Sequence, residues 1–138
     1  ALGGNFPLTV DGSNVTAAST TNPGVVTTGT QSFSGNKSFT GTVGIAGGFY
    51  QAIRTVTTST SMLLTDSVVI GAPTSANITI TLPAPTTGLT VSVKRNSASY
   101  IVYLATPSGT IDGASTVTLS SNYQAFILVS DGTNWYVI

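Results

Sequence analysis

The chain has 138 residues with four basic and four acidic side chains, so its net charge is zero and only 6% of it is charged, where ordinary globular chains carry about a quarter. It holds no His, no Cys and, because all four acids are Asp, no Glu; Ser-His-Asp and Cys-His nucleophiles, His or Cys metal sites and disulfides are therefore excluded. Lys94 and Arg95 are the only adjacent cations and no apolar run is long enough to span a bilayer, so the sequence offers no footprint for nucleic acid and none for membrane insertion.

In chain order, residues 1–24 are small and polar, with Asp11-Gly12 and Asn22-Pro23-Gly24 as turn signals, and read as a polar leader. The sequence does not start with Met, which reads as a fragment of something longer. Residues 25–48 carry a tandem pentapeptide, Gln31-Ser-Phe-Ser-Gly35 and Lys37-Ser-Phe-Thr-Gly41. Its even spacing puts Phe33 and Phe39 on one face of an extended strand, together with Val25, Val43 and Ile45. Such a strand has an apolar face and no local partner, so its ladder and its Phe side chains have to be covered by copies of itself, most cheaply from identical chains. This is a shaft segment.

Gly47-Gly48 marks the boundary to a denser region, 49–138. There, β-branched runs alternate with turns: Tyr50 to Thr58, Ser61 to Ile70, Ala76 to Leu82, Leu89 to Lys94, Tyr100 to Ala105, Ser115 to Leu119, Tyr123 to Val129 and Trp135 to Ile138. Eight short strands predict a small antiparallel β-sandwich or barrel-like knob. Ile78, Ile80 and Leu82 alternate with Asn77, Thr79 and Thr81, giving one wet face. The runs from Tyr100 and Tyr123 are apolar on both faces, which fits strands packed on a second sheet on one side and on a neighbouring subunit on the other.

The carboxylates read as structural. Asp11, Asp112 and Asp131 each precede Gly, the dipeptide of tight hairpin turns, and Asp66 stands alone where glycoside hydrolysis uses a pair. The expectation is a protein that is no enzyme and holds no cofactor and no metal.

Two elements carry a resemblance to a known family. Thr30-Gln-Ser-Phe-Ser-Gly-Asn-Lys-Ser-Phe-Thr-Gly41 is similar to a pattern of viral fibre shafts. The order Val68-Val-Ile70, Ile78-Thr-Ile-Thr-Leu-Pro83, Gly88-Leu-Thr-Val-Ser-Val-Lys94, Ile111-Asp-Gly113 and Ser130-Asp-Gly-Thr-Asn-Trp135 resembles a fibre-tip β-domain. Together these cover most of residues 25–138, and the chain resembles the C-terminal shaft and knob region of fibres of bacteriophages and some other large DNA viruses. The resemblance implies an all-β, intertwined homotrimer at the virion surface, outside cells. Its shaft would be packed through Phe33, Phe39, Val43 and Ile45, and its N-terminal side would join the rest of the fibre or virion. Tail fibre, head fibre and baseplate-associated fibre are all compatible with it.

Host attachment is the expected task, through a surface glycan met by aromatic rings and hydrogen-bonding side chains; Arg54, Lys94, Arg95, Tyr100 and Trp135 are the candidate receptor residues. Trp135 has a second reading as packing beneath the last hairpin. Two rivals stand beside this expectation: a purely structural capsid or connector fibre without a receptor, and a non-viral carbohydrate-binding or adhesin module.

Overall fold

The computed structural model describes residues 37–138; the leader, the first pentapeptide and Phe33 lie outside the described residues. Contacts divide the chain into two units, Ala1–Gly44 and Ile45–Ile138. From residue 37 to residue 52 there is no strand. Phe39, Val43 and Ile45 are all more than half exposed, and a Cβ added at Gly41, Gly44, Gly47 or Gly48 would meet nothing within 4 Å. Alternation alone does not make a strand: the ladder needs a second backbone, and no strand pairing among the described residues includes these.

The second unit is all-β. Its nine strands are β1 (Ile53–Val56), β2 (Thr60–Ser61), β3 (Val68–Gly71), β4 (Ile78–Thr81), β5 (Thr90–Arg95), β6 (Val102–Ala105), β7 (Thr116–Leu119), β8 (Ala125–Ser130) and β9 (Trp135–Val137). They form a five-stranded sheet, β1-β3-β5-β8-β9, and a four-stranded sheet, β2-β4-β6-β7. The antiparallel expectation fails over the first six strands, because β1–β3, β3–β5, β2–β4 and β4–β6 all pair in parallel. Each short loop carries the chain across to the other sheet instead of back along the same one, so a strand pairs with the strand two ahead of it. Parallel neighbours need a long crossover, and here the intervening strand of the opposite sheet supplies it in place of a helix. Only β5–β8, β6–β7 and β8–β9 are antiparallel, and these close the stack.

The expected strand from Ser61 to Ile70 is two strands with a turn between. Asp66 causes the break: its N–H donates to the Leu63 carbonyl at 3.0 Å while its carboxylate accepts the Leu63 N–H at 2.8 Å. At the corners leading into the four-stranded sheet, side chains extend the ladder. Ser59 Oγ accepts the Thr79 N–H at 3.0 Å, and Asn77 Oδ1 accepts the Ile101 N–H at 2.8 Å.

The core lies between the sheets. Val69, Val91, Val93, Leu128 and Trp135 face Ile78, Ile80, Val102, Leu104 and Leu119, with Val56, Met62, Leu82 and Ile111 completing the cluster. Ile78, Ile80 and Leu82 are the buried side of the alternation read from sequence. Removing each such side chain from water contributes about 1.5–3 kcal/mol. The sheets are close at Gly71, where a Cβ would sit 2.8 Å from Val102 Cγ2 and 3.2 Å from Ile80 Cδ1. Asp112-Gly113 forms the tight turn its sequence suggests: both residues have positive φ, at 48° and 82°, and Ile111 and Ala114 exchange backbone hydrogen bonds of 2.7 and 2.9 Å.

Candidate functional site

The five candidate receptor residues are not gathered in one place. Arg54, on β1, is committed to Asp66 through Nε (3.0 and 3.1 Å) and Nη2 (2.6 Å), and Nη2 also donates to the Ser61 carbonyl at 3.0 Å. The hydrogen bond from Arg54 holds the Asp66 carboxyl below its ordinary range, and the Leu63 N–H adds to this. Arg95 ends β5 with its side chain turned inward and buried. Its guanidinium donates to the carbonyls of Ser120, Leu119 and Ala98, and its Nε has no partner. Trp135 has no exposed surface, and its indole N–H is likewise unpaired, so its ring is a core element and is not offered to a ligand. Tyr100 is half-buried beside a turn in which its N–H donates to Ser97 Oγ at 3.1 Å.

Lys94 is the cation left on the outside of its sheet, and it is paired with a ring that sequence reasoning did not select. Its ammonium lies 5.5 Å from the centre of the Tyr123 ring and donates to the Tyr123 carbonyl at 3.1 Å. Tyr123 is exposed and has φ of 65°, a left-handed backbone unusual for a residue with a Cβ. The remaining described carboxylates serve the backbone. Asp131 Oδ1 accepts the N–H groups of Thr133 (2.8 Å) and Asn134 (2.7 Å), and Oδ2 accepts the Tyr136 hydroxyl (2.9 Å); the carboxyl is lowered by the Asn134 bond first and the phenol is raised by the carboxylate. Asp112 Oδ1 accepts the Val137 N–H at 3.2 Å.

Among the described residues the two sheets present outer faces of different character. On the four-stranded sheet the outward positions are Ser61, Thr79, Thr81, Tyr103, Ala105, Thr116 and Thr118. The register places Thr79, Tyr103 and Thr118 side by side on β4, β6 and β7, about 4.8 Å apart. This face is uncharged and lined with hydroxyls around one aromatic ring. On the five-stranded sheet the register sets Ile53, Val68, Ser92 and Ile127 in a row, and Ile138 joins it by donating its N–H to the Ile127 carbonyl at 2.9 Å. Ile70, Val129 and Tyr136 flank that row. Ile53, Ile127 and Ile138 are 65%, 48% and 73% exposed in the single chain. The outward Ile127 and Val129 are the second apolar side of the run that starts at Tyr123, so this face was visible in the sequence as double apolarity, although its assembly from distant strands was not.

Compared with protein-family models, with curated proteins and with solved structures, the chain matches none.

Proposed function

We propose that this chain is a structural viral fibre protein, whose shaft segment and β knob assemble as a homotrimer that projects from the virion and attaches to the host cell. The observation that carries the reading is the set of exposed apolar side chains at odd positions, Phe39, Val43, Ile45 and Phe49, on described residues that form no strand before β1. Three chains side by side give each such stretch a neighbour to pair with and a place to bury its apolar groups, Phe33 included. The near absence of charge supports the same reading, since identical chains meet without like-charge repulsion.

Attachment falls to the hydroxyl face. Tyr103, flanked by Thr79 and Thr118, suits the flat face of a neutral sugar, with the ring stacking on C–H groups and the hydroxyls bonding to those of the glycan. One such site is weak; three on a stiff shaft engage a dense cell surface with avidity far above that of a single site. The test is a glycan array probed with the labelled chain, followed by competition for adsorption to cells that bear the ligand. The reading expects binding to neutral saccharides that Tyr103→Ala removes. Absence of any ligand and of any competition would withdraw attachment and leave a connector fibre.

A further inference from the structure

We propose that Asp112-Gly113 is a site of spontaneous covalent modification, where the Asp112 side chain closes on the Gly113 nitrogen to a succinimide that reopens to isoaspartate, while Asp131-Gly132 is protected from the same reaction by its hydrogen bonds. The chemistry uses only this chain and water. The Gly113 nitrogen bonds to Cγ of the protonated Asp112 carboxyl, the Cγ–OH bond breaks, and the hydroxyl leaves with the Gly113 amide proton as one water. Water then adds back to one of the two ring carbonyls. Addition at Cγ restores Asp112; addition at the main-chain carbonyl leaves Gly113 joined through Cγ, which is isoaspartate, with the mass of the parent. Both residues are exposed, and a Cβ placed on Gly113 would meet nothing within 4 Å, so the nitrogen is open to the attack.

The backbone of the turn is already close to what the ring requires. Closing the ring eclipses the Gly113 nitrogen with Cβ of Asp112, which in an L-residue sets ψ to about −120°, the value at the first central position of a type II′ turn, where φ is about 60°. Asp112 has φ of 48°, and Gly113, at 82°, completes the type I′ form. The two forms are exchanged chiefly by a flip of the Asp112–Gly113 peptide. Among the described residues that peptide is held at neither end: the Asp112 carbonyl accepts no hydrogen bond and the Gly113 N–H donates none. The bonds of 2.7 and 2.9 Å between Ile111 and Ala114 lie outside it. The Asp112 carboxylate has one partner, the Val137 N–H at 3.2 Å.

Asp131-Gly132 is tied at every point of the same ring. Its carboxylate accepts the N–H groups of Thr133 and Asn134 and the Tyr136 hydroxyl, its carbonyl accepts the Thr87 hydroxyl at 3.1 Å, and the Gly132 N–H donates to Ser130 Oγ at 3.0 Å. The bonds from Asn134 and Thr133 also hold the carboxyl below its ordinary range, so the protonated form that can lose water is scarce. At Asp112 the product has a structural consequence. Isoaspartate adds a methylene to the main chain of the turn and withdraws the carboxylate from Val137; the Asp112 N–H donates to the Trp135 carbonyl at 3.0 Å and Ile111 bridges to Trp135, so the change loosens β9.

The test ages the whole chain in near-neutral buffer, folded and in guanidinium chloride, and reads isoaspartate by electron-transfer fragmentation of the tryptic peptide from Asn96 to Ile138, which carries both sites. The expected result is comparable modification of the two sites in denaturant and several-fold more at Asp112 than at Asp131 in the folded chain, with faster amide exchange at Trp135–Val137 in the aged fraction. Asp112→Asn keeps a side chain that tolerates positive φ and offers ammonia as the leaving group, so it should react faster through the same ring while folded. Equal yields at the two sites of the folded chain, or a folded Asp112→Asn that keeps its amide, overturns the assignment. Unchanged exchange in the aged fraction overturns the coupling to β9.

Discussion

Gly71→Ala probes a close contact between the sheets. The new methyl would lie 2.8 Å from Val102 Cγ2 and 3.2 Å from both Val102 Cγ1 and Ile80 Cδ1, and both neighbours are completely buried. Neither has room to withdraw: Val102 is held in the ladder between β4 and β7, and Ile80 in that between β2 and β6. Overpacking of this kind costs about 1–3 kcal/mol. Gly71 does not have positive φ, so the Ala backbone is unstrained, and the loss of unfolded-state freedom returns about 0.4–1 kcal/mol. The steric cost is the larger at the midpoints of the two ranges, with a net loss of about 1.3 kcal/mol and at most about 2.6 kcal/mol. For a unit of this size that lowers Tm by about 4–8 °C per kcal/mol. Val102→Ala, which opens the space, is destabilising by itself yet should offset part of the Gly71→Ala loss, with a coupling of about 0.5–3 kcal/mol in the double mutant. The assay is thermal and urea unfolding of the four proteins. A Gly71→Ala chain as stable as the parent, or strictly additive losses, would refute the packing of β3 on β6.

Two further changes test polar contacts. Asp66→Asn weakens the bond that Arg54 makes across the turn; because Arg54 is partly exposed, the loss at neutral pH is about 1 kcal/mol, read in urea. The Asp66 carboxyl is lowered in the folded chain, so its stabilisation is present above the ordinary carboxylate range and is lost as pH falls through its folded value. The parent should therefore weaken towards acid more steeply than Asp66→Asn, and parallel pH profiles would contradict this. Arg95→Ala removes a buried side chain and strands the carbonyls of Ser120, Leu119 and Ala98, for an expected loss of about 2–4 kcal/mol in the same assay. An unchanged midpoint would mean that the buried guanidinium contributes nothing.

Local signals in this sequence read well wherever the physics is local. The alternation of Ile78, Ile80 and Leu82 with Thr79 and Thr81 marks an inner and an outer face, and Asp112-Gly113 marks a positive-φ turn; both are found as such. Pairing partners are a different matter, since a loop of a few residues between β-branched runs looks the same whether it folds the chain back on its own sheet or carries it to the opposite one. For that reason the parallel stack of β1, β3 and β5 was missed. Arg95 shows the same limit. Its place after Val91 and Val93 puts it on the inner face, but two of its three carbonyl partners, Leu119 and Ser120, lie some twenty-five residues away at the end of β7, which sequence spacing does not bring near. Tyr123, two residues before the start of β8, gained its importance from Lys94 on β5, a strand reached only through the β5–β8 register.

The account turns on whether this chain assembles with itself, and the molar mass of the whole chain in solution, by light scattering after size exclusion at micromolar concentration, measures that most directly. It predicts the mass of three chains of 13.9 kDa each. The mass of a single chain, unchanged with concentration, would contradict the fibre reading and favour a monomeric carbohydrate-binding module.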